Sequence, residues 1–147
     1  MSPRNTELRE TASQLNSAAI HLLRGMRPID RQAGLTPARL SALSVLVFGG
    51  PCTLGRLAAV EGVAGPTMTR IVDGLVELGL AVRGPHPDSA RSVRISATSD
   101  GEALMHAARA RRIDALVGVL EQLSASDRAR IVAAAPLLGR VADRIGR

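Results

Sequence analysis

The chain has 147 residues, of which 19 are Arg and none Lys, against 13 acidic residues, so the net charge is +6 at neutral pH. Its single cysteine, Cys52, excludes an internal disulfide framework and fits a reducing, cytoplasmic setting. No stretch approaches the roughly 20 apolar residues that cross a bilayer, and the N-terminal residues hold no apolar run of the signal-peptide kind.

Phe48 is the only aromatic residue, so the core has to be aliphatic and Ala-rich, which favours helix packed on helix. Leu8, Ala12, Leu15, Ala19, Leu22 and Met26 repeat at spacings of four and three and predict one apolar stripe on a first helix. Pro28 and Gly34 are expected to end it in a loop. Thr36-Pro37 starts a second helix, with Thr as cap and Pro at the first helical position. This helix is apolar on more than one side through Leu40, Leu43, Val47 and Phe48, which predicts a central position. Gly49-Gly50-Pro51 stops it.

Thr53 caps a short third helix, Leu54 to Val60, and Glu61-Gly62-Val63 is a turn. A fourth helix runs from Gly65-Pro66 to Leu78, with Gly79 as its stop. Leu80 to Arg83 reads as a strand, Gly84 to Arg91 as a turn-rich loop, and Ser92 to Ser96 as a second strand with Val93 and Ile95 inward and Arg94 outward. Thr98 caps a fifth helix reaching about Leu123. Ser124 with Asp127 resembles a capping box for a sixth, whose stripe is Ile131, Ala135, Leu138, Ala142 and Ile145, with Pro136 inside it.

Helix, tight turn, helix, then a hairpin is the order of a winged helix-turn-helix, a device that holds one helix in a DNA groove. Ala58 lies four residues before Gly62, which puts a small residue at the helix contact and a glycine at the bend. Leu57, Val63, Met68 and Ile71 supply the shared core. On the fourth helix Met68, Ile71, Val72, Leu75 and Leu78 share one side, and Pro66, Thr69, Arg70, Asp73 and Glu77 the other, with Thr67 at its edge.

A recognition helix enters the major groove by its N-terminal end, which selects Gly65, Pro66, Thr67, Thr69 and Arg70. Arg70 can pair bidentately with guanine, and the Thr69 methyl can meet the methyl of thymine. Met68 is assigned to the core, and Asp73 and Glu77 are placed outside the groove. Arg91, near the end of the hairpin loop, suits the narrow, electronegative minor groove. Arg83, His86 and Arg94 are expected at phosphates beside it, as are Thr53 and Arg56 of the third helix. Charge distribution adds little: residues 54–95 carry a net charge of only +1.

The run Leu57-Ala58, Val63, Pro66-Thr67-Met68-Thr69-Arg70-Ile71-Val72-Asp73-Gly74-Leu75, Leu78-Gly79-Leu80 strongly resembles the multiple-antibiotic-resistance regulator (MarR) family. Asp88, Arg91-Ser92-Val93, Ile95, Thr98, Gly101 and Leu104 resemble that family's wing and the start of its fifth helix. In the family wing an Asp usually stands two residues before the tip Arg. Here Ser89 holds that place and Asp88 lies one residue earlier. The family's Leu before the helix-five Thr is here Ala97.

The resemblance implies a mainly α fold with a small β-hairpin wing over the whole chain. The winged helix-turn-helix core is expected at 36–97, with dimerisation helices at 5–27 and 98–146. It also implies a homodimer that binds double-stranded DNA, represses nearby genes and is released by a small apolar or phenolic effector or by oxidation.

His21, His86 and His106 are scattered, and Ala110 stands where a second histidine would follow His106, so no metal is expected. Cys52 precedes a helix N-terminus, which can lower a thiol's pKa. The simpler reading is a small residue packed in the bend. Relatives with a redox switch carry their cysteine near the start of the first helix. No nucleophile-base pair, paired acids or phosphate-cradling loop is present, so neither catalysis nor a cofactor is expected. The rival reading is a ligand- or protein-binding helical dimer without operator recognition.

Overall fold

A computed structural model describes residues 3–86 and 89–145, with the backbone alone at 3, 86 and 89–92. Six helices and three strands follow in the order α1 (Pro3–Arg31), α2 (Pro37–Phe48), β1 (Cys52–Thr53), α3 (Leu54–Glu61), α4 (Gly65–Glu77), β2 (Ala81–His86), β3 (Ser89–Ala97), α5 (Ser99–Glu121) and α6 (Ala125–Ile145). The chain divides into two compact units, Met1–Ala110 and Arg111–Arg147.

The first unit is built around α2. Thr36 Oγ1 accepts from the Arg39 N–H at 3.3 Å, and Pro37 begins the helix where an amide hydrogen would have no partner. Leu40, Ala42, Leu43 and Leu46 of α2 are buried among Leu57 and Ala58 of α3, Met68, Val72 and Leu75 of α4, and Leu80, Ala81, Ile95 and Met105. Burying each of the larger side chains is worth about 1.5–3 kcal/mol, so this cluster carries most of the unit's stability. Phe48, expected with the centre, is half exposed at the end of α2. Leu78, expected on the apolar face of α4, is likewise half exposed, because the helix ends beside it.

Gly62 closes α3 at φ 64°, a left-handed conformation that costs a side-chain-bearing residue steric strain. The Val63 N–H then reaches back to the Ala58 carbonyl at 3.0 Å, which turns the chain directly into α4. At the other end of α4 the Leu80 N–H donates to the Leu75 carbonyl at 2.9 Å, delivering a buried Leu80 to the start of β2.

The sheet is antiparallel with strand order β1-β3-β2. Two registers hold it: Cys52 faces Ile95 and Thr53 faces Arg94 on one side, and Ala81 faces Ala97 through Pro85 facing Val93 on the other. Thr98 fastens the start of α5 to the turn between α4 and β2. Its Oγ1 donates to the Gly79 carbonyl at 2.6 Å and accepts from the Gly101 N–H at 3.1 Å.

Four further sequence expectations need correction. First, α1 does not stop before Pro28 but runs through it to Arg31. Proline removes one hydrogen bond, yet its φ is helical, and the helix ends only where the Gly34 N–H closes on the Arg31 carbonyl at 3.1 Å. Second, Gly84 to Arg91 is mostly not loop: β2 extends to His86 and β3 begins at Ser89. Third, Val93 is half exposed rather than inward, because the core ends at Ile95 on that strand. Fourth, Cys52–Thr53 is a strand, which the bend reading did not foresee.

The second unit holds the end of α5 and α6. Ser124 caps α6 as expected: its Oγ accepts from the Asp127 N–H at 3.1 Å and donates to the Asp127 carboxylate at 2.8 Å. Arg128 donates to the Leu123 carbonyl at 3.1 Å, satisfying a free carbonyl after α5. Within α6 no residue is buried, and Ile131, Leu138 and Ile145 of its stripe lie exposed.

Candidate nucleic-acid interface

The sequence of α4 divides it into two faces, and the structure keeps them apart. Met68, Val72 and Leu75 are fully buried, which places Met68 in the core. Gly65, Pro66, Thr67 and Arg70 are exposed and Thr69 is half-buried. The Thr69 hydroxyl donates to the Gly65 carbonyl at 3.0 Å, so its hydrogen is committed while the methyl and an oxygen lone pair stay available.

The N-terminus of α4 differs from those of its neighbours. Helices α2, α3, α5 and α6 each have a Thr or Ser oxygen accepting from a first-turn amide. Helix α4 has Ala64 at that position and no side-chain cap. Its first-turn amides therefore await an external acceptor at the positive end of the helix dipole, an arrangement suited to an anion.

Around α4 the short sheet gathers the other predicted residues. Thr53 spends its oxygen on the Arg56 N–H at 3.3 Å, and Arg56 is left exposed on the first turn of α3. The β1–β3 register sets Arg94 directly opposite Thr53, so residues 41 apart in sequence lie side by side. Arg83 is the exception to the expected pattern. It donates to the Asp73 carboxylate at 2.5 Å, a half-exposed pair joining the wing to α4. Asp73 therefore acts inside the protein, a role its outward position on the helix did not disclose.

The wing ends differently from the sequence reading. Past Pro85 facing Val93 the register jumps, and His86 faces Ser89. Residues 90–92 thus have no counterpart on β2, a bulge that contains Arg91. Asp88 lies outside the described residues, and at His86, Ser89 and Arg91 only the backbone is described.

Cys52 is half-buried in β1. Burial pushes its thiol above the ordinary cysteine range, and the nearby Arg56 charge only partly opposes this. The helix N-terminus therefore does not make an activated thiolate of it. Alkylation by iodoacetamide at pH 7.5 is expected to run slower than for free cysteine at the same pH; an equal or faster rate would contradict this placement. Among the described residues no group of three or more His, Cys, Asp or Glu side chains is arranged to hold a metal ion. No helix among them is long and apolar enough to cross a membrane.

A three-helix core, a tight αL turn between α3 and α4, and a hairpin anchored beside α4 define the winged helix-turn-helix class of DNA-binding proteins. A profile of the MarR family matches residues 33–92. An HTH-type transcriptional regulator of Mycobacterium tuberculosis is 36% identical over 132 residues, covering 90% of this chain and 92% of that one. A MarR family protein from Bacillus stearothermophilus superposes with a TM-score of 0.82 at 26% identity, over 100% of this chain and 99% of its own. NadR in complex with 4-hydroxyphenylacetate superposes with a TM-score of 0.66 at 26% identity, over 88% and 89%. The chain belongs to the MarR family of transcriptional regulators, a DNA-binding class.

Proposed function

We propose that this regulator is a homodimeric repressor of a palindromic operator. The observation that carries the reading is the uncapped, exposed start of α4, presenting Gly65, Pro66, Thr67, Thr69 and Arg70 while Met68, Val72 and Leu75 anchor the opposite face. Each protomer inserts α4 into a major groove. Arg91, with Asp88 and Ser89 before it, serves the adjacent minor groove, and Thr53, Arg56, Arg83, His86 and Arg94 serve phosphates.

Exposed apolar side chains support the dimer. Leu8, Leu15, Ile20, Leu22 and Leu23 lie exposed on α1, and Ile131, Val132, Leu137, Leu138, Val141 and Ile145 on α6. Stripes of this size need a partner, and a second copy is the commonest one. A small apolar or phenolic molecule is the proposed releasing effector. The 4-hydroxyphenylacetate complex of NadR supports that class.

Selection of bound duplexes from a random-sequence pool by the purified chain tests the reading. The expected product is an imperfect inverted repeat with half-site centres about 10 bp apart, bound by two protomers and weakened steeply by salt. Failure to retain any duplex at about 50 mM salt would overturn it in favour of a helical dimer that binds ligand or protein without operator recognition.

A further inference from the structure

Gly74 is buried within α4, and a Cβ placed there would overlap Nε, Cζ and Nη2 of Arg39. The guanidinium of Arg39 therefore lies flat across the helix in the space a side chain would take, brought there by the first turn of α2. It has no hydrogen-bond or ion-pair partner among the described residues, and the residue is half-buried. Its location is informative. Gly74 follows Arg70 by four residues, so the two positions lie one above the other on the same side of α4. On the opposite flank Arg83 reaches in from β2 to Asp73.

Arg39 and Arg83 alter the electrostatics of this face. By its own residues the outer side of α4 offers DNA Arg70 against Asp73 and Glu77, an unfavourable balance beside phosphates. Arg39 and Arg83, supplied from α2 and β2, reverse its sign. A planar guanidinium held on a backbone notch keeps its edge donors free and loses little side-chain entropy on binding, because its position is already set.

We infer that Arg39 is a further DNA-backbone contact, cradled by the notch at Gly74 and aimed at a phosphate one helical turn beyond the base read by Arg70. This rests on the operator-binding reading above. It names a residue of α2, outside α3, α4 and the wing, that sequence reasoning did not select.

Duplexes recovered by the wild-type chain, together with scrambled versions, are to be titrated with wild type, Arg39→Gln and Gly74→Ala from about 50 to 300 mM salt, with chemical denaturation of each chain alongside. Arg39→Gln is expected to weaken binding to recovered and scrambled duplexes by the same factor, about tenfold, and to reduce the slope of log affinity against log salt by about 0.9 for each phosphate lost. Gly74→Ala keeps the charge but displaces the guanidinium, and is expected to weaken binding to the recovered duplex as well. Unchanged affinity and salt slope in Arg39→Gln, on DNA that wild type binds, overturns the inference. So does a loss of stability with the slope intact, which would make Arg39 a strut between α2 and α4. Absence of binding by wild type itself overturns the operator reading and the inference with it.

Discussion

An Arg70→Ala chain is expected to lose about 1–3 kcal/mol of discrimination at one base pair in each half-site of its operator, while its affinity for scrambled DNA falls far less. Arg70 is exposed on the outer face of α4, four residues before the notch that holds Arg39 and three before the Asp73 paired with Arg83. No described residue ties its guanidinium down, so a bidentate pair with guanine is made at little internal cost. Because a palindrome presents the position twice, the free-energy loss on a dimer doubles, so the fold-change of one half-site is squared. Competition between the recovered duplex and single-base variants measures it. Equal losses on matched and mismatched duplexes would remove Arg70 from base readout and assign it to the phosphates.

Met68→Ala is expected to destabilise the chain by about 2–5 kcal/mol, a large share of the 5–15 kcal/mol that holds a typical domain together. Met68 is 0% exposed and packed with Leu57, Val72 and Leu75. Truncation there leaves a cavity between α3 and α4 rather than a bare patch on a groove-facing helix. Met68→Leu, which nearly conserves volume, is expected to cost less than about 1.5 kcal/mol and to leave operator preference unchanged. Urea denaturation and the duplex competition separate the two roles. A shift in base preference with Met68→Leu, at unaltered stability, would place this side chain at the DNA instead of in the core.

What could be read from the sequence follows the range of the forces involved. Thr36, Thr53, Thr98 and Ser124 mark helix starts through hydrogen bonds spanning three residues, and all four caps are present. The split of α4 into faces was equally legible, since helical periodicity needs no knowledge of the neighbours. Strand β1 was not legible: two residues have no period, and Cys52–Thr53 is extended only because Ile95 and Arg94 lie opposite. Gly84-Pro85-His86 reads as a turn by local preference, and pairing with β3 overrides that preference.

The site follows the same division. Thr69 and Arg70 could be picked from the wheel of one helix. The partnership of Arg83 with Asp73 spans ten residues and two elements, and that of Arg39 with Gly74 spans 35. Nothing in either local sequence announces them. The nearly neutral charge of residues 54–95 looked like weak support for DNA binding because one contributor to the electrostatics of α4, Arg39, lies outside that window.

Pro85 has a consequence for the open edge of the sheet. Strand β2 is one of the two outer strands of the sheet, and an open edge of backbone donors and acceptors is a template for another chain's strand. Proline presents no N–H, and the register jump immediately after it bends the edge away from the straight geometry that strand addition requires. Strand addition along the β2 edge, the route by which exposed hairpins aggregate, is therefore disfavoured at the wing.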